Sequence, residues 1–339
     1  MVSGEPREPY PERRGLKRKK ARAVNVDILL QQIVNGLMLG GIYVMVAVAF
    51  TLIIGMLNFL NFTIPALFMV SAMMMWATMS GGFGADFDMA LTSLVGTGGK
   101  WVAGIVVALV VTAALSLVIE RFTYRYMKAK YGDATEHAIP LVSSLGFLIM
   151  FEHLVIGRWG SDALTIASPF GNASFHIGKI QFSVPQLTSL VLSLAIVIAL
   201  SMMLKRTRLG RALRSIAERP DTAVLMGVDV RRIVPLVYVI TGLLCAIAGV
   251  LFTINYTTVE AYVGDKVATV AIAGMVLGGL GNVWGAVVGG LFVGVLEVLS
   301  IYLFGSSVEK VPIWGLLLLL LIVRPTGLFG HSAIGKGKF

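Results

Sequence analysis

Charge is scarce in this 339-residue chain: 14% of its residues are charged, while 57% are hydrophobic. An average soluble protein carries about 25% charged residues. Together with a mean hydropathy of +0.85, the shortage excludes a disordered chain and an ordinary soluble enzyme. Cysteine is all but missing. Cys245 stands alone in an apolar run, so no intrachain disulfide and no disulfide scaffold can form. Chemistry-bearing motifs are missing too. There is no H-E-x-x-H metal spacing and no G-x-S-x-G nucleophile elbow. The run Gly96-Thr97-Gly98-Gly99-Lys100 is too compressed for a phosphate-binding G-x-x-x-x-G-K-[ST] loop, and Trp101 stands where Ser or Thr is needed. No catalytic residue, metal or cofactor is therefore expected, and the chain does not read as an enzyme.

Apolar runs are what the sequence has in quantity. They cover roughly 27–50, 51–80, 100–120, 139–157, 185–204, 233–254, 267–281, 284–304 and 311–323, with a weaker candidate at 85–97. About 20 apolar residues cross the hydrocarbon as a helix, so the expected fold is all-α: a polytopic membrane protein of about 8 transmembrane helices, with a range of 8–10. Of the 28 Lys and Arg, 23 lie in 1–27, 121–138, 205–232 and 324–339. The excess of Lys and Arg in cytosolic segments assigns all four regions to the cytosol. Nucleic-acid binding is the competing reading of a net charge of +10, and it loses because each basic cluster abuts an apolar span. The expected organisation is a basic cytosolic tail (1–26), a membrane domain (27–330) with a cytosolic loop at 205–232, and a cytosolic C-terminal tail (331–339). Both termini are expected in the cytosol of a bacterial-type inner membrane. That requires an even number of crossings between the tail and 121–138.

Two segments break the apolar pattern. Residues 54–65 hold Gly55, Asn58, Asn61, Thr63 and Pro65. Pro65 lacks an N–H and disfavours helix just before it, and an amide in hydrocarbon must find a partner. Residues 274–285 hold Gly278, Gly279, Gly281 and Asn282. Transporters place discontinuous helices in both halves of the fold, with freed backbone facing the substrate. Gly55, Asn58, Asn61, Thr63, Gly278, Gly279, Gly281 and Asn282 are accordingly the candidate substrate-pathway residues. Tight helix packing is the alternative for Gly285, Gly289, Gly290 and Gly294 on the next helix. Glu297 is an intramembrane carboxylate, read either as a helix–helix contact or as part of a proton relay.

The loop 205–232 places Leu209, Ala212, Leu213 and Ile216 on one helical face, and Pro220 starts a second short helix that Gly227 ends. An apolar stripe on a cytosolic loop suggests docking to a soluble partner.

Here the chain resembles the permease subunits of branched-chain amino acid ABC importers, the LivH type. The likeness rests on residues 210–218 (GRALRSIAE) with Ala223 and Gly227-Val228-Asp229. It continues through Gly242 to Gly249, Val276-Leu277-Gly278-Gly279-Leu280-Gly281 and Val323-Arg324-Pro325-Thr326-Gly327-Leu328-Phe329-Gly330. It covers about 27–330. The resemblance implies a second homologous permease, two cytosolic ATPase subunits that hydrolyse the ATP, and an extracytoplasmic solute-binding protein, all in a lipid bilayer. It also implies an ATPase-coupling role for Gly210, Arg211, Arg214, Glu218, Ala223 and Gly227. One departure stands out. After Gly55-Met56-Leu57-Asn58-Phe59, the family's small residue, His or Gln, and Gly are replaced by Leu60, Asn61 and Phe62. A same-superfamily permease for urea, short amides or sugars, or an ion-coupled secondary transporter, stays open as an alternative.

Overall fold

The computed structural model describes residues 26–57, 59–126, 138–166, 174–177, 180–218 and 220–330. Among the described residues, eleven α-helices carry the fold. They are α1 (Val26–Leu57), α2 (Thr63–Met79), α3 (Ala85–Ile119), α4 (Ala138–Trp159), α5 (Val184–Arg206), α6 (Arg208–Glu218), α7 (Pro220–Leu225), α8 (Val230–Tyr256), α9 (Val263–Gly278), α10 (Val283–Phe304) and α11 (Val311–Val323). A π-helical turn, Glu120–Tyr126, extends α3. The only strands among the described residues form two small antiparallel pairs, β1 (Leu164–Thr165) with β4 (Thr258–Val259) and β2 (Ser174–Ile177) with β3 (Ile180–Ser183).

Among the described residues, seven helices are long and apolar enough to cross a membrane. The chain is thus an all-α polytopic membrane protein. The shorter α2 and α9 also run between the two ends of the bundle, each completed by a non-helical segment. The weak candidate at 85–97 does not cross. Gly96 takes a left-handed φ of 72° and kinks α3 there, and Lys100 folds back to bond Asp88 at 2.7 Å.

α1 is the central helix, and every residue from Ile42 to Phe50 is buried. Hydrocarbon gives apolar side chains no reason to leave lipid for protein, so membrane helices gain contact by letting backbones approach closely. Glycine does this on the α1–α10 seam. A Cβ at Gly40 would lie 2.9 Å from Leu291 Cα, and one at Gly294 would lie 2.5 Å from Gly40 Cα. Gly285 and Gly289 pack the same way on the backbone of α9. The packing alternative is therefore the correct one for all four glycines of α10. Several buried hydroxyls satisfy themselves locally. Thr51, Ser189, Thr241 and Thr253 each donate to the carbonyl four residues back, while Ser71 reaches across to Ala246 O at 2.7 Å.

Bonds at the two ends fix the direction of each helix. At one end, Arg125 donates to Arg231 O at 3.1 Å, next to the 205–232 loop. At the other, Gln31 donates to Gln181 O at 2.8 Å, and Trp76 Nε1 donates to Thr165 O at 3.1 Å. α5 joins these ends, since it runs from beside β3 to the 205–232 loop. α1 therefore starts at the face opposite that loop, and α1, α2 and α3 each traverse. Three crossings, an odd number, separate the start of α1 from residues 121–126. The expectation that the chain on both sides of this stretch shares one face is overturned for residues from 26 onward. The reason is that neither α1 nor α2 is re-entrant. The basic tail itself lies outside the described residues.

Candidate functional site

The first break is built around Asn61, which is fully buried. Its Oδ1 accepts from Thr63 N at 2.9 Å and from Thr63 Oγ1 at 2.7 Å, so it satisfies the first backbone N–H of α2, one of those with no partner within the helix. Its Nδ2 donates to the Tyr238 hydroxyl of α8 at 3.2 Å. Phe62 N donates to Ser144 Oγ of α4 at 3.1 Å. Ser144 lies six residues into α4, about 9 Å from its start at 1.5 Å per residue, so α2 begins inside the bundle. Thr63 is as buried as Asn61. Asn58 lies outside the described residues.

The second break, at 279–282, lies elsewhere. It is the turn joining α9 to α10, on the face that carries the 205–232 loop. Gly279 (φ 110°) and Gly281 (φ 81°) adopt conformations open only to glycine at no steric cost. Asn282 Oδ1 caps α10 by accepting from Trp284 N at 3.1 Å, and its Nδ2 donates to Phe329 O at 3.0 Å. The C-terminal strap docks here as well: Leu328 N bonds Leu277 O at 2.9 Å, and Phe329 N bonds Gly278 O at 3.0 Å. Gly278 meets the backbone of Gly285. The two breaks do approach each other, because a Cβ at Gly55 would sit 3.5 Å from Gly281 Cα. They do so at the end of the bundle, not at its middle.

The partner of α2 in mid-bundle is a segment the sequence did not single out as a break. After β4 the chain turns inward, and α9 starts against α2: a Cβ at Gly264 would clash with the Pro65 carbonyl. Two helix N-termini thus meet inside the bundle, the arrangement that exposes backbone N–H groups and positive dipole ends to a solute. The N-cap of α9, Tyr262, supplies no side-chain hydrogen bond. Buried Glu152 of α4 interacts electrostatically with Asp265 in the first turn of α9, and Lys266 pairs with Glu260 at 2.5 Å. The signal in sequence was the charged triplet Glu260, Asp265 and Lys266 between apolar runs, which reads equally well as an ordinary outer loop.

The 205–232 loop forms α6 and α7 as expected, but its apolar stripe is not free. Leu213 and Ile216 are buried and belong to the bundle core, as does Ala223. Gly210 lets α6 turn back onto the Leu204 carbonyl, and Arg214 Nη1 donates to the same oxygen at 2.9 Å. Arg211 and Glu218 are exposed. Gly227, at φ 86°, closes α7 with Gly227 N donating to Val224 O at 3.0 Å, while Val228 N reaches Ala223 O at 3.0 Å. The apolar surface left bare lies at the end of α7, where Leu225 is 84% and Met226 85% exposed. The expectation of an exposed stripe on α6 is corrected accordingly. The stripe packs inward because α6 lies against the bundle, and the free apolar pair lies two and three residues after the buried Ala223. Its sequence signal was the consecutive run Val224-Leu225-Met226 in a polar loop.

No group of three or more metal-ligating side chains occurs among the described residues. A helical membrane bundle, two helices that start inside it, and a structured loop at one end define a membrane transport protein in outline. The comparison with known proteins gives the family. Residues 32–324 match the family described as branched-chain amino acid transport system / permease component, and the chain belongs to it. It is 30% identical over 316 residues to the high-affinity branched-chain amino acid transport system permease protein BraD of Pseudomonas aeruginosa, covering 91% of this chain and 97% of that one. It is 29% identical over 315 residues, with the same coverage, to the permease protein LivH of Escherichia coli K12. The ribose import permease protein RbsC of Bacillus subtilis is 28% identical over 192 residues, which is 54% of this chain and 58% of that one. No solved structure matches the chain.

Proposed function

We propose that this chain is the membrane-spanning permease subunit of an ATP-driven importer, and that it translocates branched-chain or related amino acids. The observation that carries the reading is the family match from residue 32 to 324, with near-complete coverage of permeases named for that substrate class. A second homologous permease, two ATPases and a solute-binding protein complete the assembly. The face carrying α6 and α7 is cytosolic, because Arg121, Arg125, Arg206, Arg208, Arg211, Arg214, Arg231, Arg232 and Arg324 gather there. The opposite face carries Asp86, Asp88, Asp162, Glu260 and Glu309. α6 and α7 couple to an ATPase through Arg211, Glu218 and the bare Leu225-Met226 pair, while Gly210, Arg214, Ala223 and Gly227 hold the loop in shape. An apolar anchor ringed by charge fits the core-and-rim pattern of a protein interface.

The substrate pathway runs past the meeting point of α2 and α9. Asn61 and Thr63 shape it by fixing the start of α2. Gly55, Gly278, Gly279, Gly281 and Asn282 form its cytosolic end, where Asn58 also falls in sequence. A sugar or other small solute is the second reading. It is favoured by the partial match to the ribose permease and by the bulky Leu60 and Phe62 at positions small in the resembled family. The test is ATP-dependent uptake by the complete complex in proteoliposomes. Radiolabelled leucine should accumulate and ribose should not. ATP-dependent ribose uptake without leucine uptake would replace the substrate, and accumulation driven by an ion gradient without ATP would overturn the importer reading.

A further inference from the structure

Thr257 stands out in the backbone. Among the described residues it is the one non-glycine residue with a left-handed φ, at 53°. It ends α8, where Thr257 N donates to Thr253 O at 3.0 Å. Glycine ordinarily holds such a helix-ending position, and a β-branched side chain is disfavoured in it. A conformation of this kind persists only where the surrounding structure imposes it. The imposing contact is the β1–β4 pair. Ile166 N donates to Thr257 O at 2.8 Å, and Leu164 and Thr165 lie opposite Val259 and Thr258. Strands of two residues make a pair with little stability of its own. A strained residue and a weak pair thus oppose each other at one point of the chain.

The pair lies at the outer end of the bundle. β1 follows α4 after residues 160–163, and β4 follows α8 after Thr257. Trp76, in the last turn of α2, donates from Nε1 to Thr165 O at 3.1 Å. From β4 the chain runs inward, through buried Val259 and Ala261, to the start of α9 at Val263. There Gly264 meets the Pro65 carbonyl of α2. One pairing therefore ties the outer ends of α2, α4 and α8 to the segment that carries α9 into the bundle. On the pathway reading, a solute from the outer face reaches the two helix N-termini along this segment. While β1 holds β4, residues 257–262 stay packed where the solute would pass. Moving parts of proteins are drawn from their least stable segments, and this pair is such a segment.

We propose that the β1–β4 pair is the outer latch of the permease. Paired, it holds residues 257–262 in the bundle and shuts the outer route. Unpaired, it frees that segment, lets Thr257 leave its left-handed conformation and admits the solute. The strain at Thr257 keeps the latch weak enough to open. The inference rests on the importer reading and names the element that gates its pathway.

The test locks the latch in the complete complex in ATP-loaded proteoliposomes, with radiolabelled L-leucine as probe and uptake expressed per assembled complex. Because Ile166 N bonds Thr257 O, the next pair, Thr165 and Thr258, shares no mutual hydrogen bonds. Its Cα atoms are then about 4.5 Å apart, within the span of a disulfide. Both residues are exposed to oxidant, and the native Cys245 is buried. The double variant Thr165→Cys with Thr258→Cys should match wild type when reduced. Oxidised, it should lose about tenfold or more of its uptake, because the open form is no longer populated, and reduction should restore it. Ser174→Cys with Ser183→Cys joins register partners of the separate β2–β3 pair and should transport equally in both states. Thr257→Gly relieves the strain of the closed form. The latch should open less readily, and uptake should fall about threefold with no fall in Tm. Unchanged uptake in Thr257→Gly would make Thr257 a plain helix end and overturn the role of its strain. A double variant at 165 and 258 that fails to cross-link under oxidation would overturn the latch, and so would a cross-linked complex that keeps uptake within about twofold of wild type. Wild-type complex that takes up no leucine would overturn the importer reading and the latch together, whereas wild-type uptake that survives the cross-link would overturn the latch only.

Discussion

Two asparagines mark two breaks in apolar sequence, and the structure treats them differently. Asn61 lies fully buried and bonds across to Tyr238 of α8 while accepting from the first N–H of α2. Asn282 sits at the end of the bundle, where it caps α10 and grips the strap at Phe329. Both accept from an N–H at a helix start. Only the first has no water to fall back on, so each of its bonds must be made by protein. A glycine–asparagine break therefore says that a helix starts, and says nothing of the depth at which it starts. The same contrast separates α9 from α10. α9 begins against Pro65 in mid-bundle, and α10 begins at the loop-bearing face.

The contrast can be broken most severely at the seam both breaks depend on. Gly294→Leu would drive a side chain into the Gly40 backbone, so membrane-inserted, folded protein should be lost; size-exclusion recovery in mild detergent near the wild-type level would show that the α1–α10 approach is not required. Asn61→Leu should come next. It removes the acceptor of Thr63 N and Thr63 Oγ1, at about 1–3 kcal/mol for each buried group left unsatisfied. The apparent Tm should fall clearly, and a change no larger than that of Asn282→Ala would erase the difference between the breaks. Asn282→Ala itself removes a cap near water and should cost about 1 kcal/mol, read as a small Tm shift with uptake retained. Gly227→Leu forces a left-handed φ on a branched residue, at roughly 1–2 kcal/mol. It should loosen the end of α7 and lower ATPase stimulation by substrate more than it lowers Tm.

Much of the fold was legible because hydrocarbon demands long apolar runs and because basic residues cluster next to them. Residues 121–126 and the described part of the 205–232 loop fell at one end of the bundle as their Arg and Lys required. The crossing count before residue 121 was harder. Pro65 and two asparagines signalled a break, but a break is compatible with a re-entrant turn and with a full passage; only the Trp76–Thr165 bond settles that α2 goes through. The start of α9 was illegible for a related reason. Its marks, Glu260, Asp265 and Lys266, are the residues of a solvated loop, and Lys266 is indeed exposed; what places the helix start inside is the contact of Gly264 with Pro65, some 200 residues away in sequence. The stripe on α6 was read correctly as a helical face, yet periodicity cannot tell a face turned to a partner from one turned to its own bundle.

The most direct test of the account is affinity purification of the tagged chain in mild detergent, with identification of the proteins that accompany it, beside a variant carrying Leu225→Glu and Met226→Glu. Those two side chains are bare in the chain alone, so the double substitution should change stability by no more than about 0.5 kcal/mol. The account predicts that wild type brings down an ATPase subunit and a second permease, and that the variant keeps the permease and loses the ATPase. Wild type recovered as a folded protein with no ATPase, or a variant that retains it in full, would contradict the account.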